Sequence, residues 1–552
     1  MSKGQKILLV FTILICTFFQ SLPMIRSGLK YDYGIGFWGP NGHDAIWHLA
    51  LINQIKNPFK IPHPTISGQY LENYHPFYDI FIATLSKITF INPSIWLFQL
   101  FPILSSVIFL LLSFKLGKLL TKKFSGGIYL VLLNTFATSF GWVVTLIKNK
   151  NLGGESLFWA MQSFSNQLNP PFIFSLLLIL ICLIILKKKP FLLIFLSPFI
   201  PITKSYGGVV FFAFFFIFSF LKLLKKQTSY IKIFTISFIL SILLFLIYNK
   251  NSTGLFIFKP FWFIHSMIES ADRFYLPKIA NMRYSLLASD KVGPRLITIE
   301  LVSLVIFILG NFGYRTLFLF KTKLYLKNIF TKSILFTILF SLIIPIFFIQ
   351  KGTAWNTIQF LYYSLFFANI LLAITLSNIK KKRFNKFIIF AIFVTSFIAN
   401  LPNYKSYLGN PAPASLPTTE LEALNFLKKQ PGNAVLTYPY DKFKKSNLQT
   451  PIPLYLYETT AYVPAFTGKQ TFLSDEMNLS ISGYDWKQRR QDSDNFFSNK
   501  FSNIFESKGF LLNNNIDYIY LTKNQNLPHK PKNLEIEKIY DSDGIRIYQI
   551  QK

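Results

Sequence analysis

The residues best suited to chemistry in this chain crowd into one short segment. Four of its six histidines, His43, His48, His63 and His75, fall between positions 43 and 79, alongside Asp44, Glu72 and Asp79. Asp44 and His48 are four residues apart, so a helix puts both on one face. Pro40-Asn41-Gly42 supplies a turn that brings His43 to the start of that helix. A carboxylate or imidazole here can serve as general base towards a hydroxyl, which must lose its proton as it attacks. Asp44 and His48 can equally help to bind a divalent cation. A third reading keeps the histidines as hydrogen-bonding groups of a polar interfacial helix.

The surrounding elements are those of a membrane. Hydrophobic residues make up 51% of the 552 positions and charged residues only 15%, and apolar runs of spanning length recur from Ile7 to Ala399. The expected fold is mainly α, polytopic, with spans near 7–25, 94–119, 125–147, 172–186, 190–202, 206–221, 231–248, 296–319, 331–350, 357–378 and 385–400. Residues 1–400 form the membrane domain, and 401–552, after a proline-rich linker, form a soluble α/β domain. The formal charge of +33 comes in clusters between apolar runs. These include Lys118/Lys122/Lys123, Lys187–Lys189, Lys321/Lys323/Lys327 and Lys380–Arg383, as the positive-inside rule expects, and nucleic acid is not an expected partner. With eleven spans every cluster faces the cytoplasm, as does the N-terminus, an uncleaved anchor. The loop 26–93 and the tail then lie outside a multi-pass plasma-membrane protein. Cys16 and Cys182 sit in separate apolar runs, so no disulfide framework is available.

Within the first loop, Asp44–Ile55 and Phe77–Ile88 have the apolar spacing of two helices lying at the membrane surface. An inside N-terminus, one span and a loop with an early Asp and two surface helices together resemble the GT-C superfamily of membrane glycosyltransferases. The later spans and the outer C-terminal domain share that resemblance, which is nearest to bacterial multi-pass members. Asp44 in Gly42-His43-Asp44 matches the position of the superfamily's acidic catalytic residue. His75-Pro76-Phe77-Tyr78-Asp79 is similar to the opening of its second surface helix. The resemblance implies transfer of a sugar from a polyprenyl-phosphate carrier in the membrane to a glycan, lipid or protein acceptor on the outer face. Asp44, with His43 beside it, would deprotonate or orient the acceptor hydroxyl, and His48 and His75 would line the substrate site. Many members carry an acidic pair in this loop, whereas Asp44 is preceded by His43. A divalent cation (Mg or Mn) on Asp44, His48 and Glu155 is the candidate cofactor.

Other polar positions join the candidate list. Lys204, flanked by Tyr206 at the turn of a short hairpin over 190–221, is a ligand for the donor phosphate or a snorkelling lysine. Arg283 and Arg295, in the outer loop 249–295, are similar candidates. Asn356 and Gln359 open a span where they can face a sugar, although Asn356 can also cap that helix. In the tail, Asp475-Glu476 and Asp485-Trp-Lys-Gln-Arg489-Arg490 are the densest charge and are expected to form a solvated face. The rival classes are a transporter or lipid flippase, and an envelope protein with a binding tail. A transporter would place ionisable groups within its spans and show repeat symmetry, and the sequence shows little of either. No glycine-rich nucleotide loop precedes a helix.

Overall fold

The computed structural model describes residues 1–250, 256–290, 292–379, 383–445 and 448–551. Lys380–Lys382, most of the last basic cluster, lie outside the described residues. The chain divides into two compact units, one of residues 1–22, 102–246 and 253–408, the other of 23–101, 247–252 and 409–552.

All eleven apolar runs are helical. Eight helices are long and apolar enough to cross a membrane: Lys3–Ile25, Pro93–Thr121, Ser205–Leu223, Ser229–Tyr248, Pro294–Leu326, Ile329–Phe347, Ala354–Ser377 and Lys386–Leu408. The expected span 125–147 is instead a pair, Phe124–Phe136 and Gly141–Asn149, bent by 48°, and Pro170–Leu186 and Pro190–Thr203 are shorter. In lipid a helix break frees carbonyls that water cannot satisfy. Here the buried Arg315 guanidinium donates to Ala137 O at 3.1 Å and to Gln162 Oε1 at 2.7 Å, while its Nε donates to Asn369 Oδ1 at 2.8 Å. The cation thereby ties the break to two neighbouring segments. Among the helices long enough to cross a membrane, Ala354–Ser377 is almost wholly enclosed and Ser229–Tyr248 is the least enclosed.

Lys204 stands, as expected, at the turn between the helices Phe199–Thr203 and Ser205–Leu223, in extended conformation. Gly207 follows because a Cβ there would lie 2.5 Å from Tyr363 Oη.

The second unit interleaves the first loop with the tail. Its five-stranded sheet runs Ile536–Ser542, Ile545–Ile550, Tyr518–Leu521, Ala434–Thr437, Gln470–Thr471; the last three strands are parallel and the first two form an antiparallel hairpin. Residues 64–67 of the loop run beside its edge, with Thr471 N donating to Pro64 O and Ser67 N to Thr471 O, both at 2.9 Å. Ile66 enters the core with Leu436, Phe472, Phe510 and Ile519. A smaller sheet joins Gly34–Phe37 of the loop to Ala414–Leu416 of the tail. The expected division at 400 therefore moves: the last membrane helix continues through Pro402 to Leu408, and the loop is built into the tail's unit.

Candidate active site

The first loop forms its two helices as expected, Asp44–Gln54 and Phe77–Thr89. A short 3-10 turn, Gly39–Gly42, leads into the first, and Gly42 sits close against Tyr457, where a Cβ would lie 3.0 Å from the ring. Asn41 is buried and ties the turn down, its Nδ2 donating to Pro23 O at 2.8 Å and to Ser27 Oγ at 2.9 Å. These contacts fix His43 at the helix start. Asp44 falls in the first turn, where the helix dipole favours an anion.

His43 then meets two carboxylates. Its Nδ1 lies 2.8 Å from Asp44 Oδ1, and its Nε2 lies 3.3 Å from Asp475 Oδ1. Asp475, expected on a solvated face, is fully buried, whereas the Asp44 side chain is 48% exposed. Asp475 caps the helix Glu476–Ser482, its carboxylate accepting from Asn478 N at 3.2 Å and from Asn478 Nδ2 at 2.8 Å. Burial works against a charge on His43, but the Asp475 carboxylate and the hydrogen bond to Asp44 outweigh it and hold the imidazole well above its ordinary range. The result is an acid–imidazolium–acid chain, open to solvent at Asp44 and anchored at Asp475.

His48 does not join that chain. It shares a helix with Asp44, but its Nδ1 pairs with Asp79 Oδ1 of the second helix at 2.8 Å, both side chains buried. This pair fastens the two loop helices together. His75 stacks on Tyr74 with ring centroids 4.7 Å apart, and Tyr74 Oη accepts from Trp47 Nε1 at 2.9 Å. His63 is fully buried and pushed down to about 3, first by burial and then by the Arg489 cation, so it is a neutral core histidine.

Glu155 belongs to the membrane unit and is half-buried rather than freely solvated. Its Oε1 accepts from Ser165 Oγ at 2.7 Å and Gln162 N at 2.9 Å, and burial raises it above the usual carboxylate range. In the same unit Lys204 Nζ donates to Asn169 Oδ1 at 3.3 Å and Tyr206 Oη to Gln350 Oε1 at 2.6 Å. Arg283 is neutralised by Glu300 at 2.8 Å, with Glu269 at 3.6 Å, and Glu300 also holds His265 at 2.8 Å. Arg295 is exposed. Asn356 lies inside a 3-10 turn, Ala354–Ile358, and does not cap it, while Gln359 begins the helix that follows.

Among the described residues no group of three or more His, Cys, Asp or Glu side chains is placed to hold a metal ion. The set Asp44, His48 and Glu155 does not fit one: His48 is committed to Asp79, and Glu155 to Ser165 and Gln162. A cation bound through both Asp44 and Asp475 would have to displace His43 from between them.

Neither family models nor curated proteins match this chain. Solved structures of the oligosaccharyltransferase from Archaeoglobus fulgidus do. The crystal structure of its complex with Zn and sulfate has a TM-score of 0.50 and 13% identity, covering 93% of this chain and 67% of that one. The archaeal enzyme, AglB, in complex with an inhibitory peptide and a dolichol-phosphate has a TM-score of 0.50 and 11% identity, covering 94% and 70%. At that identity the likeness is one of fold. The fold is mainly helical, with eight helices long and apolar enough to cross a membrane and a sheet-containing C-terminal region.

Proposed function

We propose that the chain is an integral-membrane glycosyltransferase that moves a sugar from a polyprenyl-phosphate donor to an acceptor on the outer face of the plasma membrane. The observation that carries this reading is the half-exposed Asp44 carboxylate, clamped by His43 and backed by the buried Asp475. Asp44 aligns the acceptor hydroxyl and takes its proton as the oxygen attacks the anomeric carbon. The bond from that carbon to the carrier phosphate breaks, and the electron pair leaves with the phosphate. His43 and Asp475 hold Asp44 in one orientation throughout, so no reorganisation is needed as the charge moves. Lys204 supplies a cation for the phosphate. Its burial and its place at the turn between two helices support that role.

Support for one-sidedness comes from span parity. Residues of the first loop and of the tail share one compact unit, so an even number of crossings must separate them. Seven long helices and one bent pair intervene, an even number when that pair is one broken span, and the short helices Pro170–Leu186 and Pro190–Thr203 keep parity only if both cross or neither does.

Purified protein in lipid nanodiscs, given a radiolabelled polyprenyl-phosphate sugar and membrane-derived acceptors, tests the assignment. Loss of a positioned base lowers kcat roughly 10²–10⁴-fold, and Asp44→Asn should do so with Tm nearly unchanged. Transfer at the wild-type rate by Asp44→Asn would remove Asp44 from the chemistry.

A further inference from the structure

A cleft in the second unit is not used by the chemistry above. Five tyrosines line it: Tyr438, Tyr440, Tyr455, Tyr462 and Tyr520. It opens where three parallel strands end. Thr437 closes Ala434–Thr437, Tyr520 is next to last in Tyr518–Leu521, and Leu473 and Ser474 follow Gln470–Thr471. Ala434–Thr437 lies between the other two, and the chain passes first to one side of it and later to the other. A crevice beyond the carboxyl ends of strands, at such a reversal, is where open α/β sheets bind ligands.

Two hydroxyls in the lining have no partner. Thr460 Oγ1 and Ser493 Oγ are shut off from solvent without a hydrogen bond, in side chains buried to beyond nine-tenths. A group left so costs about 1–3 kcal/mol, a deficit that a ligand bearing hydroxyls removes. Glu476 accepts from Thr459 Oγ1 at 3.1 Å and is neutralised by Arg490 at 2.7 Å, whereas Glu458 has no ion-pair partner among the described residues. No Lys or Arg lines the cleft among those residues, and its only aliphatic groups are Leu473 and Pro439.

We propose that this cleft binds a neutral carbohydrate. The half-buried rings of Tyr440 and Tyr455 suit the C–H face of a pyranose ring, and a carboxylate beside hydroxyls suits the polar edge of that ring. The nearby Arg490 is already paired with Glu476 and Asp494 and donates to Tyr440 O, which disfavours an anionic sugar. A peptide is a poorer fit, because the cleft offers little apolar surface for side chains. The sheet edges Ile536–Ser542 and Gln470–Thr471 take no part in the lining, which removes strand addition as a mode of capture. Ser474 and Glu476 bracket Asp475, so the cleft wall and the buried end of the acid–histidine chain share one segment. On the glycosyltransferase reading, on which this last step rests, the occupant is a glycan acceptor.

Saturation-transfer NMR on the full chain in phospholipid nanodiscs, free of sugar-based detergent, tests the site. The probes are neutral di- to tetrasaccharides of glucose, galactose, mannose and N-acetylglucosamine, with a set of hydroxyl-bearing tripeptides. At least one saccharide should bind saturably, tenfold or more weaker in Tyr440→Ala and in Thr460→Val. Thr460→Val keeps the side-chain shape, and its unchanged Tm distinguishes lost recognition from lost folding. Saccharide binding by a chain that transfers no sugar leaves the cleft assigned and removes only the enzymatic reading. Binding of tripeptides alone, no saccharide binding, or saccharide binding indifferent to both substitutions overturns the proposal.

Discussion

Replacing Asp475 by Asn isolates the electrostatic role of the buried end of the chain. Asn preserves a side-chain oxygen to cap Glu476–Ser482, where Asp475 now accepts from Asn478 N at 3.2 Å, so the helix start is retained. What disappears is the negative charge 3.3 Å from His43 Nε2, in a place where His43 is 7% exposed and Asp475 wholly buried. Removing one partner of a buried ion pair typically costs about 3–5 kcal/mol. Asp44, still 2.8 Å from the other ring nitrogen, keeps part of the compensation, which argues for the lower end of that range. At about 2–4 °C per kcal/mol for a unit of this size, roughly 3 kcal/mol lowers Tm by about 6–12 °C. The sign with pH follows from the raised His43. Its stabilisation is fully present below the ordinary histidine range, near pH 6.5, and is lost as pH rises through the higher value it takes in the fold. The gap in Tm between wild type and Asp475→Asn should therefore be widest at pH 6 and narrow steadily into the alkaline range. Intrinsic-fluorescence melting of both proteins in nanodiscs from pH 6 to pH 10 measures it. A gap of the same size throughout would mean that Asp475 acts by capping and packing, and the imidazolium chain would be refuted.

Glu420 offers a second pH signature, since burial pushes its carboxyl up to about 8, with Tyr520 Oη 3.2 Å from Oε2. A raised carboxyl makes the folded state bind more protons, so stability falls between the ordinary carboxylate range and pH 8, by up to about 1.4 kcal/mol per pH unit. Glu420→Gln should remove that slope from the melting profile, and a slope left unaltered would show that Glu420 titrates normally. Lys204→Ala should raise the donor KM about tenfold, the scale of one lost charge-assisted contact, with kcat little changed; an unaltered donor KM would leave Lys204 as a snorkelling side chain. Single cysteines at the exposed positions Gln69 and Ser498, in a background lacking the buried Cys16 and Cys182, should both react with an impermeant maleimide in intact cells. Reaction at only one of them would break the parity of spans.

How much of this was legible depended on the range of the interactions involved. The tail's helices Thr418–Lys429 and Ile504–Asn513, and the hairpin that joins Ile536–Ser542 to Ile545–Ile550 across Asp543-Gly544, are readable from the sequence. Each depends on local periodicity and turn chemistry. The spans were legible for a stronger reason, because a chain in lipid must satisfy its backbone internally and an apolar run there has little choice but helix. The bend within 125–147 was not, because it is held by Arg315, nearly two hundred positions further on.

At the site the same division holds. The sequence by itself determined that Asp44 and His43 sit side by side at a helix start and that the histidines gather in one loop. Four-residue spacing then suggested His48 as the partner of Asp44, but spacing sets only which face a side chain occupies, not what meets it there. The tertiary structure gave His48 to Asp79, 31 positions away, and brought Asp475, 432 positions away, onto His43. In sequence Asp475-Glu476 is an acidic pair like any solvated one. Its burial is favoured only when a distant imidazole supplies the opposing charge, and that pairing exists only once the loop and the tail have folded into one unit.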